Sequence, residues 1–126
     1  MNVLEVDVAQ KSFRDQDNAE VVAIEGLQFE VPKGEFTCIL GPSGSGKTTL
    51  LQLISGLDFN YEGKILVSGH KPAEGPPLGY MFQSARLMPW LSVIDNILLI
   101  ANEEAKKKDS PRVLLEKMEL GSFLHT

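Results

Sequence analysis

The sequence contains little cysteine and histidine and has no excess of positive charge. Its 126 residues include one cysteine and two histidines, which excludes an internal disulfide framework, and no His/Cys cluster has metal-ligand spacing. The formal net charge of −5 argues against nucleic acid as a partner, because phosphate contacts need a basic face. We interpret the only basic run, residues 106–108, as a solvated helix end.

Long apolar runs are also missing. No window approaches the roughly 18 apolar residues of a membrane-spanning helix, and the stretch MNVLEVDVAQ lacks the basic flank of a secretory signal. We therefore expect a chain that does not span the membrane itself and works in a reducing cytosol. Cys38 lies inside the apolar run FTCIL and is predicted to be a small buried hydrophobic residue.

Six short segments have the alternating or continuous apolar pattern of β-strands. The run FTCIL is apolar at nearly every position, which is typical of a strand buried on both faces of a parallel sheet. The polar residues at 14–20 predict a loop. The predicted strands cover residues 4–8, 21–24, 27–31, 36–40, 64–67 and 79–82.

Apolar residues at helical spacing predict three helices. The first follows residues 41–46 and is expected to stop at Gly56. The second is expected to start from a Ser92 cap, and the third to open at Ser110-Pro111 and close at Gly121. The expected apolar faces are Leu50, Leu51, Ile54 and Leu57 in the first helix, Val93, Ile94, Ile97 and Leu98 in the second, and Val113, Leu114, Leu115 and Met118 in the third.

The stretch GPSGSGKTTLL, residues 41–51, fits the phosphate-binding pattern G-x-x-x-x-G-K-[ST]. Gly41, Gly44 and Gly46 let the backbone curl so that successive N–H groups point inward. The helix starting near Lys47 adds its positive end, and the Lys47 ammonium suits the β- and γ-phosphates. The Thr48 hydroxyl is a hard oxygen ligand for Mg²⁺. We predict a nucleotide polyphosphate site at residues 41–48.

The surroundings of this loop indicate a family. The segment VAIEGLQFEVPKGEFTCILGPSGSGKTTLLQLISGL, and then YEGKILVSG and GYMFQSARLMPWLSVIDNI, strongly resemble the ATP-binding cassette family. The last segment most resembles the branch of nitrate, sulfonate and taurine importers. The resemblance implies an α/β fold across residues 1–126. That fold would be a partial P-loop NTPase core with an antiparallel β subdomain and the start of a helical subdomain.

The same resemblance assigns roles to individual residues. Phe13 matches the aromatic residue that stacks on adenine, and the alternative is that it packs beneath the 14–20 loop. Gln83 matches the glutamine that completes the Mg²⁺ shell, and the alternative is a surface residue ending a strand. ATP and Mg²⁺ are the implied cofactors, with Thr48 and Gln83 as metal ligands. The expected nucleotide-binding residues are Phe13, Gly41, Pro42, Ser43, Gly44, Ser45, Gly46, Lys47, Thr48, Thr49 and Gln83.

The resemblance also implies partners. In the family, the region that follows the glutamine faces a short helix of the membrane subunit. Leu87, Met88, Pro89 and Trp90 lie there on a predicted loop, and apolar loop residues need some partner. They are expected to meet a transmembrane permease subunit or to pack into the neighbouring helices. A second ATP-binding subunit is the other implied partner. The implied location is the cytoplasmic face of the cell membrane.

Several family elements are absent from residues 84–126. They contain no signature of the LSGGQ kind, no apolar strand ending in the acids that orient water, and no switch histidine. We therefore expect an N-terminal fragment that binds nucleotide but turns it over little, with no catalytic residue of its own. Without the second acidic strand, FTCIL is expected to be an unpaired edge in a poorly stable chain.

Two other readings stay open at this point. A stand-alone nucleotide-binding module without ATPase activity would need nothing beyond the loop. Another P-loop enzyme would need further motifs. A GTPase needs N-K-x-D, which does not occur, and a small kinase needs lid arginines, whereas only Arg86 and Arg112 follow the loop.

Overall fold

The computed structural model describes residues 1–101, 103–107 and 110–126. Lys108, part of the predicted basic run, lies outside the described residues. The described chain forms two units, Met1–Tyr80 and Met81–Thr126. In the part of the chain that the structure describes, no helix combines the length and the apolar content needed to cross a bilayer.

The first unit is built on a three-stranded antiparallel sheet. Its strands are β1 (Asn2–Arg14), β2 (Glu20–Pro32) and β3 (Glu62–Val67), in the order β2-β1-β3. The turn between β1 and β2 is held by the Asp15 carboxylate, which accepts hydrogen bonds from the backbone N–H groups of Asp17 and Ala19, each at 2.9 Å. The antiparallel sheet and the loop predicted near residues 14–20 are therefore confirmed.

Both strands of this hairpin are longer than their apolar patterns predict. β1 continues well past residue 8, and the segments predicted at 21–24 and 27–31 are one strand. Gly26 lies between these two segments, and its φ of 61° lets the strand continue from one to the other. The polar ends of both strands are held by backbone pairing across the hairpin, which an apolar pattern does not record.

One helix, α1 (Lys47–Ser55), packs against this sheet. It ends where predicted, with Gly56 in the left-handed conformation at a φ of 81°. The predicted apolar face is partly wrong, because Leu53 is buried, whereas Leu51 is 45% exposed and Leu57 is 57% exposed. Leu51 is rotated about 100° from Leu50 around the helix axis, and Leu57 lies beyond the cap. The core of the unit consists of Val6, Val8, Ile24, Leu50, Leu53 and Ile65.

The strands predicted at residues 36–40 and 79–82 are not formed among the described residues. Phe36 and Leu40 are each 91% exposed, and Cys38 is exposed where a buried residue was expected. A strand exists only where a neighbour accepts its hydrogen bonds. The described sheet offers no neighbour to either segment, so their apolar composition alone does not produce a strand. The prediction of a parallel-sheet strand at residues 36–40 was therefore wrong.

The second unit is helical. It contains α2 (Val93–Leu98), α3 (Glu103–Lys107), α4 (Ser110–Lys117) and a 3₁₀ turn at Gly121–Phe123. The Ser92 cap is confirmed, since its hydroxyl accepts a hydrogen bond from the Asp95 backbone N–H at 3.2 Å. The unit's core consists of Ile94, Leu115 and Leu124, with Val93, Ile97, Leu98 and Leu120 packed against it.

The end of α4 differs from the prediction. Gly121 does not close the helix; Glu119 does so, in the left-handed conformation at a φ of 62°. The backbone N–H of Leu120 then donates to the carbonyl of Leu115 at 2.8 Å, the closing bond of a Schellman turn. Of the predicted apolar face only Leu115 is buried, and the exposed members are Val113, Leu114 and Met118.

Candidate functional site

The glycine-rich loop folds into a tight curve directly before α1. Gly44 has a φ of 80° and Gly46 a φ of 93°, a region that residues with a side chain rarely adopt. The Ser45 backbone N–H donates to the Pro42 carbonyl at 3.2 Å, and the Leu50 N–H donates to the Gly46 carbonyl at 2.9 Å. The loop is thus a turn that runs directly into the first hydrogen bond of α1.

A side chain at Gly46 would collide with backbone, and one at Gly41 would have to displace the Ser45 side chain. A Cβ on Gly41 would lie 2.7 Å from the Ser45 hydroxyl oxygen, and one on Gly46 would lie 2.7 Å from the Ala23 carbonyl oxygen on β2. The loop therefore closes on itself at one end and rests on the sheet at the other. This is the bulk-free backbone that close approach to a polyphosphate needs.

The Lys47 side chain folds back into the curve of the loop. Its ammonium donates to the carbonyls of Gly41 and Pro42, the latter at 2.8 Å, and lies 3.3 Å from the Ser45 hydroxyl. A full positive charge is therefore held at the N-terminal end of α1, where the helix dipole is also positive. The residues present fit an anionic phosphate chain.

The remaining predicted loop residues are accessible. Pro42, Ser43 and Thr48 are exposed, and Thr49 is half-buried. Thr48 is the second residue of α1, so its hydroxyl stands at the helix end nearest the loop. The structure thus brings residues 41–49 into one local site, with a hydroxyl that suits a magnesium ion.

Phe13 lies near the end of β1, paired with Val21 on β2. Its ring is 40% exposed, and the Lys11 ammonium lies 4.7 Å from the ring centroid. Beside the ring is an open cavity of about 490 Å³, lined by Lys11, Ser12, Phe13, Arg14, Glu20, Asp58 and Asn60. The partial exposure of the ring towards this space is compatible with base stacking, and the role stays a prediction.

Lys11 and Asp58 were not predicted from the sequence. Lys11 is 2% exposed, the only buried charged or polar side chain in the part of the chain that the structure describes. Its ammonium lies 2.8 Å from a carboxylate oxygen of Asp58. This hydrogen bond from Lys11 is the main reason that the pKa of Asp58 is lowered. A lysine in a strand is ordinarily taken as exposed, so the sequence carried no signal for this pair.

Gln83 lies in the second unit, on an exposed bend. The strand that it was expected to end is not formed. Its neighbour Phe82 has the Arg86 guanidinium over its ring, 4.3 Å from the centroid. The amide of Gln83 is thus accessible to a ligand, and its joint role with Thr48 in holding Mg²⁺ stays a prediction.

The segment Leu87–Trp90 is a loop, as predicted, and its apolar side chains are accessible. Leu87 is 70% exposed, Met88 39% and Trp90 76%. The loop is held by Asn96 of α2, which the sequence analysis missed. Its side-chain oxygen accepts from the Met88 N–H at 2.8 Å, and its amide donates to the Ser92 carbonyl at 2.9 Å. An asparagine inside a short apolar helix was the available signal.

Residues 24–126 match the family model described as ABC transporter. The chain is 37% identical over 122 residues to the aliphatic sulfonates import ATP-binding protein SsuB of Bacillus cereus, covering 94% of this chain and 47% of that protein. It is 36% identical over 117 residues to SsuB of Bacillus subtilis, covering 91% and 46%.

A third relative is the bicarbonate transport ATP-binding protein CmpC of Synechocystis. The identity is 41% over 102 residues, which cover 80% of this chain and 15% of that protein. The chain spans about half the length of the sulfonate relatives that it matches. The phosphate loop at residues 41–48 and Gln83 both lie within the region matched by the family model.

Proposed function

Because this chain belongs to the ABC transporter family, we propose that it binds ATP with Mg²⁺ as the nucleotide-binding part of an importer's ATP-binding subunit. Residues 41–49 hold the phosphates in this proposal, and Phe13 stacks on the base. Thr48 and Gln83 hold the metal ion. The metal supplies positive charge against the phosphate oxygens when it is bound.

The proposal rests on the position of the Lys47 ammonium, which lies inside the curve of the glycine-rich loop. The ammonium reaches the carbonyls of Gly41 and Pro42, while Gly46 sits where no side chain fits. The same arrangement satisfies a polyphosphate, which offers charge and acceptors in a small volume.

The wider function rests on the relatives. These relatives are named for the import of aliphatic sulfonates and the transport of bicarbonate. We extend the proposal to uptake of a nitrate-, sulfonate- or taurine-like solute. Transmembrane permease subunits would contact the exposed apolar loop Leu87–Trp90 at the cytoplasmic face of the membrane. A second ATP-binding subunit would pair with this one.

ATP hydrolysis needs more than a loop that binds the phosphates. Phosphoryl transfer to water needs an acid or amide that orients the nucleophile, besides charge stabilisation. Residues 84–126 hold no acid at the end of an apolar strand. We propose that these 126 residues bind ATP without steady-state turnover.

The test compares two lysine variants of the purified chain. Lys47→Ala removes the cation in the loop, and Lys33→Ala removes an exposed lysine in the turn after β2. Titration calorimetry with MgATP should show binding by the parent and by Lys33→Ala, and binding about 10- to 100-fold weaker by Lys47→Ala. Equal affinity in the two variants would sink the proposal.

Turnover is measured on the same samples as phosphate release. We expect none above the buffer background from the parent chain. Steady-state release that disappears in Lys47→Ala would contradict the proposal that these residues bind without hydrolysis. It would leave the binding proposal intact.

A further inference from the structure

The Lys11 side chain has a complete set of partners inside the first unit. Its ammonium lies 2.8 Å from an oxygen of Asp58 and donates to the Asn60 carbonyl at 2.6 Å. It also stands 4.7 Å from the centroid of the Phe13 ring. With the side chain 2% exposed, the position of the ammonium is set by these contacts and not by solvent.

Asp58 is fixed in turn to the helix that carries the phosphate loop. Its backbone N–H donates to the Gln52 carbonyl of α1 at 3.2 Å. Its second carboxylate oxygen accepts from the Asn60 N–H at 2.9 Å. Both oxygens of the carboxylate are thus engaged, and Asp58 moves with the C-terminal end of α1.

These contacts form one continuous chain between the two halves of the proposed nucleotide site. It runs from the loop before Lys47 along α1 to Asp58, and from Asp58 through Lys11 to the Phe13 ring. Lys11 and Phe13 are two residues apart on β1, so the ring and its cation belong to the same strand. The ion pair adds a charged link between that strand and the residues after α1 to the apolar packing of Val8 and Leu53 in the core.

The electrostatics of the Phe13 ring also indicate that the ring is held in one position. A cation over an aromatic face is attracted by the ring quadrupole, so Lys11 restricts the tilt of Phe13. Phe13, Lys11 and Asp58 all line the cavity of about 490 Å³ beside the ring. An aromatic group that is held before binding loses less conformational freedom when a base stacks on it.

We propose that Lys11 and Asp58 are positioning residues for the nucleotide base, which hold the Phe13 ring at a fixed place relative to the phosphate loop. This inference rests on the proposed function. If the pair has only a structural role, its loss weakens recognition of the base and of the phosphates alike. If it positions the base, its loss weakens recognition of the base and leaves recognition of the phosphates unchanged.

The test therefore uses two probes, MgATP and inorganic tripolyphosphate with Mg²⁺. Lys11→Met and Asp58→Asn break the pair, and Lys64→Met and Asp7→Asn are matched changes at exposed positions of the same sheet. In both pair variants we expect the Kd for MgATP to rise about fivefold, and the Kd for tripolyphosphate to stay within about twofold. Phe13→Ala should change the same ratio in the same direction and by more.

Two outcomes would overturn the inference. A loss of affinity for both probes in equal proportion would show a structural role only, and unchanged affinity for both probes would show no role in binding. Lys11→Met leaves Asp58 without its partner, and circular dichroism checks that this variant folds. If it does not, Lys11→Met/Asp58→Leu replaces it, because removing both charges leaves neither charged group without its partner.

Failure of the proposed function has a different signature. A parent chain that binds neither probe, or a Lys47→Ala variant that binds tripolyphosphate normally, contradicts the phosphate site itself. A parent that binds both probes, with a ratio insensitive to Phe13→Ala, contradicts base stacking and the positioning role together. Sensitivity to Phe13→Ala but not to Lys11→Met or Asp58→Asn contradicts the positioning role alone.

Discussion

Gly46 lies so close to β2 that a Cβ on it would stand 2.7 Å from the carbonyl oxygen of Ala23. Its φ of 93° is a second and independent reason for glycine at this position. Gly44 shares only the second reason, because a Cβ there would meet nothing within 4 Å. A comparison of Gly44 and Gly46 therefore separates the effect of steric contact from that of backbone conformation.

Alanine at these two positions should give unequal losses of stability. Gly44→Ala introduces left-handed strain of about 1–2 kcal/mol. Gly46→Ala adds a clash with the backbone of β2, and we expect a total loss of about 2–5 kcal/mol. The measurement is the free energy of unfolding from urea titrations of both variants and the parent. Equal losses would show that the sheet does not support the loop in the way described.

Cys38 gives a direct test of the exposed segment 36–40. It is the only cysteine of the chain, and the structure leaves it exposed. We expect its thiol to react with Ellman's reagent under native conditions, at a rate that urea changes by about twofold or less. Cys38→Ser provides the blank. A slow native reaction that accelerates on unfolding would instead support the buried strand that the apolar pattern predicts.

The Lys11–Asp58 pair predicts how stability depends on pH. The hydrogen bond from Lys11 lowers the pKa of Asp58 in the folded chain, so folding favours the ionised carboxylate. The resulting stabilisation is fully present above the ordinary aspartate pKa of about 4. It is lost as the pH falls below that value and through the lower folded-state pKa.

The check compares the parent with Asp58→Asn. Urea unfolding from pH 7 down to pH 2 should show a difference in unfolding free energy that shrinks at the acid end. Asp7→Asn, which changes an exposed carboxylate of β1 outside the ion pair, is measured beside it as the control variant. A difference that is constant across this range would contradict an ionised Asp58 as the source of the effect.

Asn96 is expected to set the order of the exposed loop Leu87–Trp90. Its side chain bonds to the backbone of Met88 and Ser92, so Asn96→Ala removes several hydrogen bonds at once. We expect a loss of about 1–2 kcal/mol and faster local motion of the loop. Trp90 is the only tryptophan of the chain, so its fluorescence anisotropy decay reports that motion without interference.

The control for this experiment is Asp95→Ala, at an exposed neighbouring position of α2. It should leave the fast component of the Trp90 anisotropy decay close to that of the parent. The same decay in Asn96→Ala and in the parent would show that the loop is held by something other than Asn96.

The local features that the sequence predicted correctly depend on a few neighbouring residues. The Gly56 stop of α1 needs only a residue that tolerates the left-handed conformation, and the Ser92 cap needs only a hydroxyl three residues before a free backbone N–H. The turn near Asp15 is local in the same sense. These features follow from chain chemistry within one or two turns, so a single sequence is enough to predict them.

The predictions that failed did so for different reasons. The run at 36–40 has the composition of a buried strand, yet a strand depends on a neighbour that composition does not specify. Gly121 looks like a helix stop, but the bond from Leu120 to Leu115 closes the helix earlier, at Glu119. Lys11 looks exposed because a lysine in a strand usually is.

The amino-acid sequence was enough to predict the glycines and Lys47 of a phosphate loop, the family, and the helix that follows the loop. Contacts between distant parts of the chain are found only in the tertiary structure. It places Gly46 against Ala23 and pairs Lys11 with Asp58, which lies 47 residues further along the chain. Motif patterns record neighbours in sequence, whereas burial and ion pairing depend on neighbours in space, and these exist only once the sheet and α1 have packed.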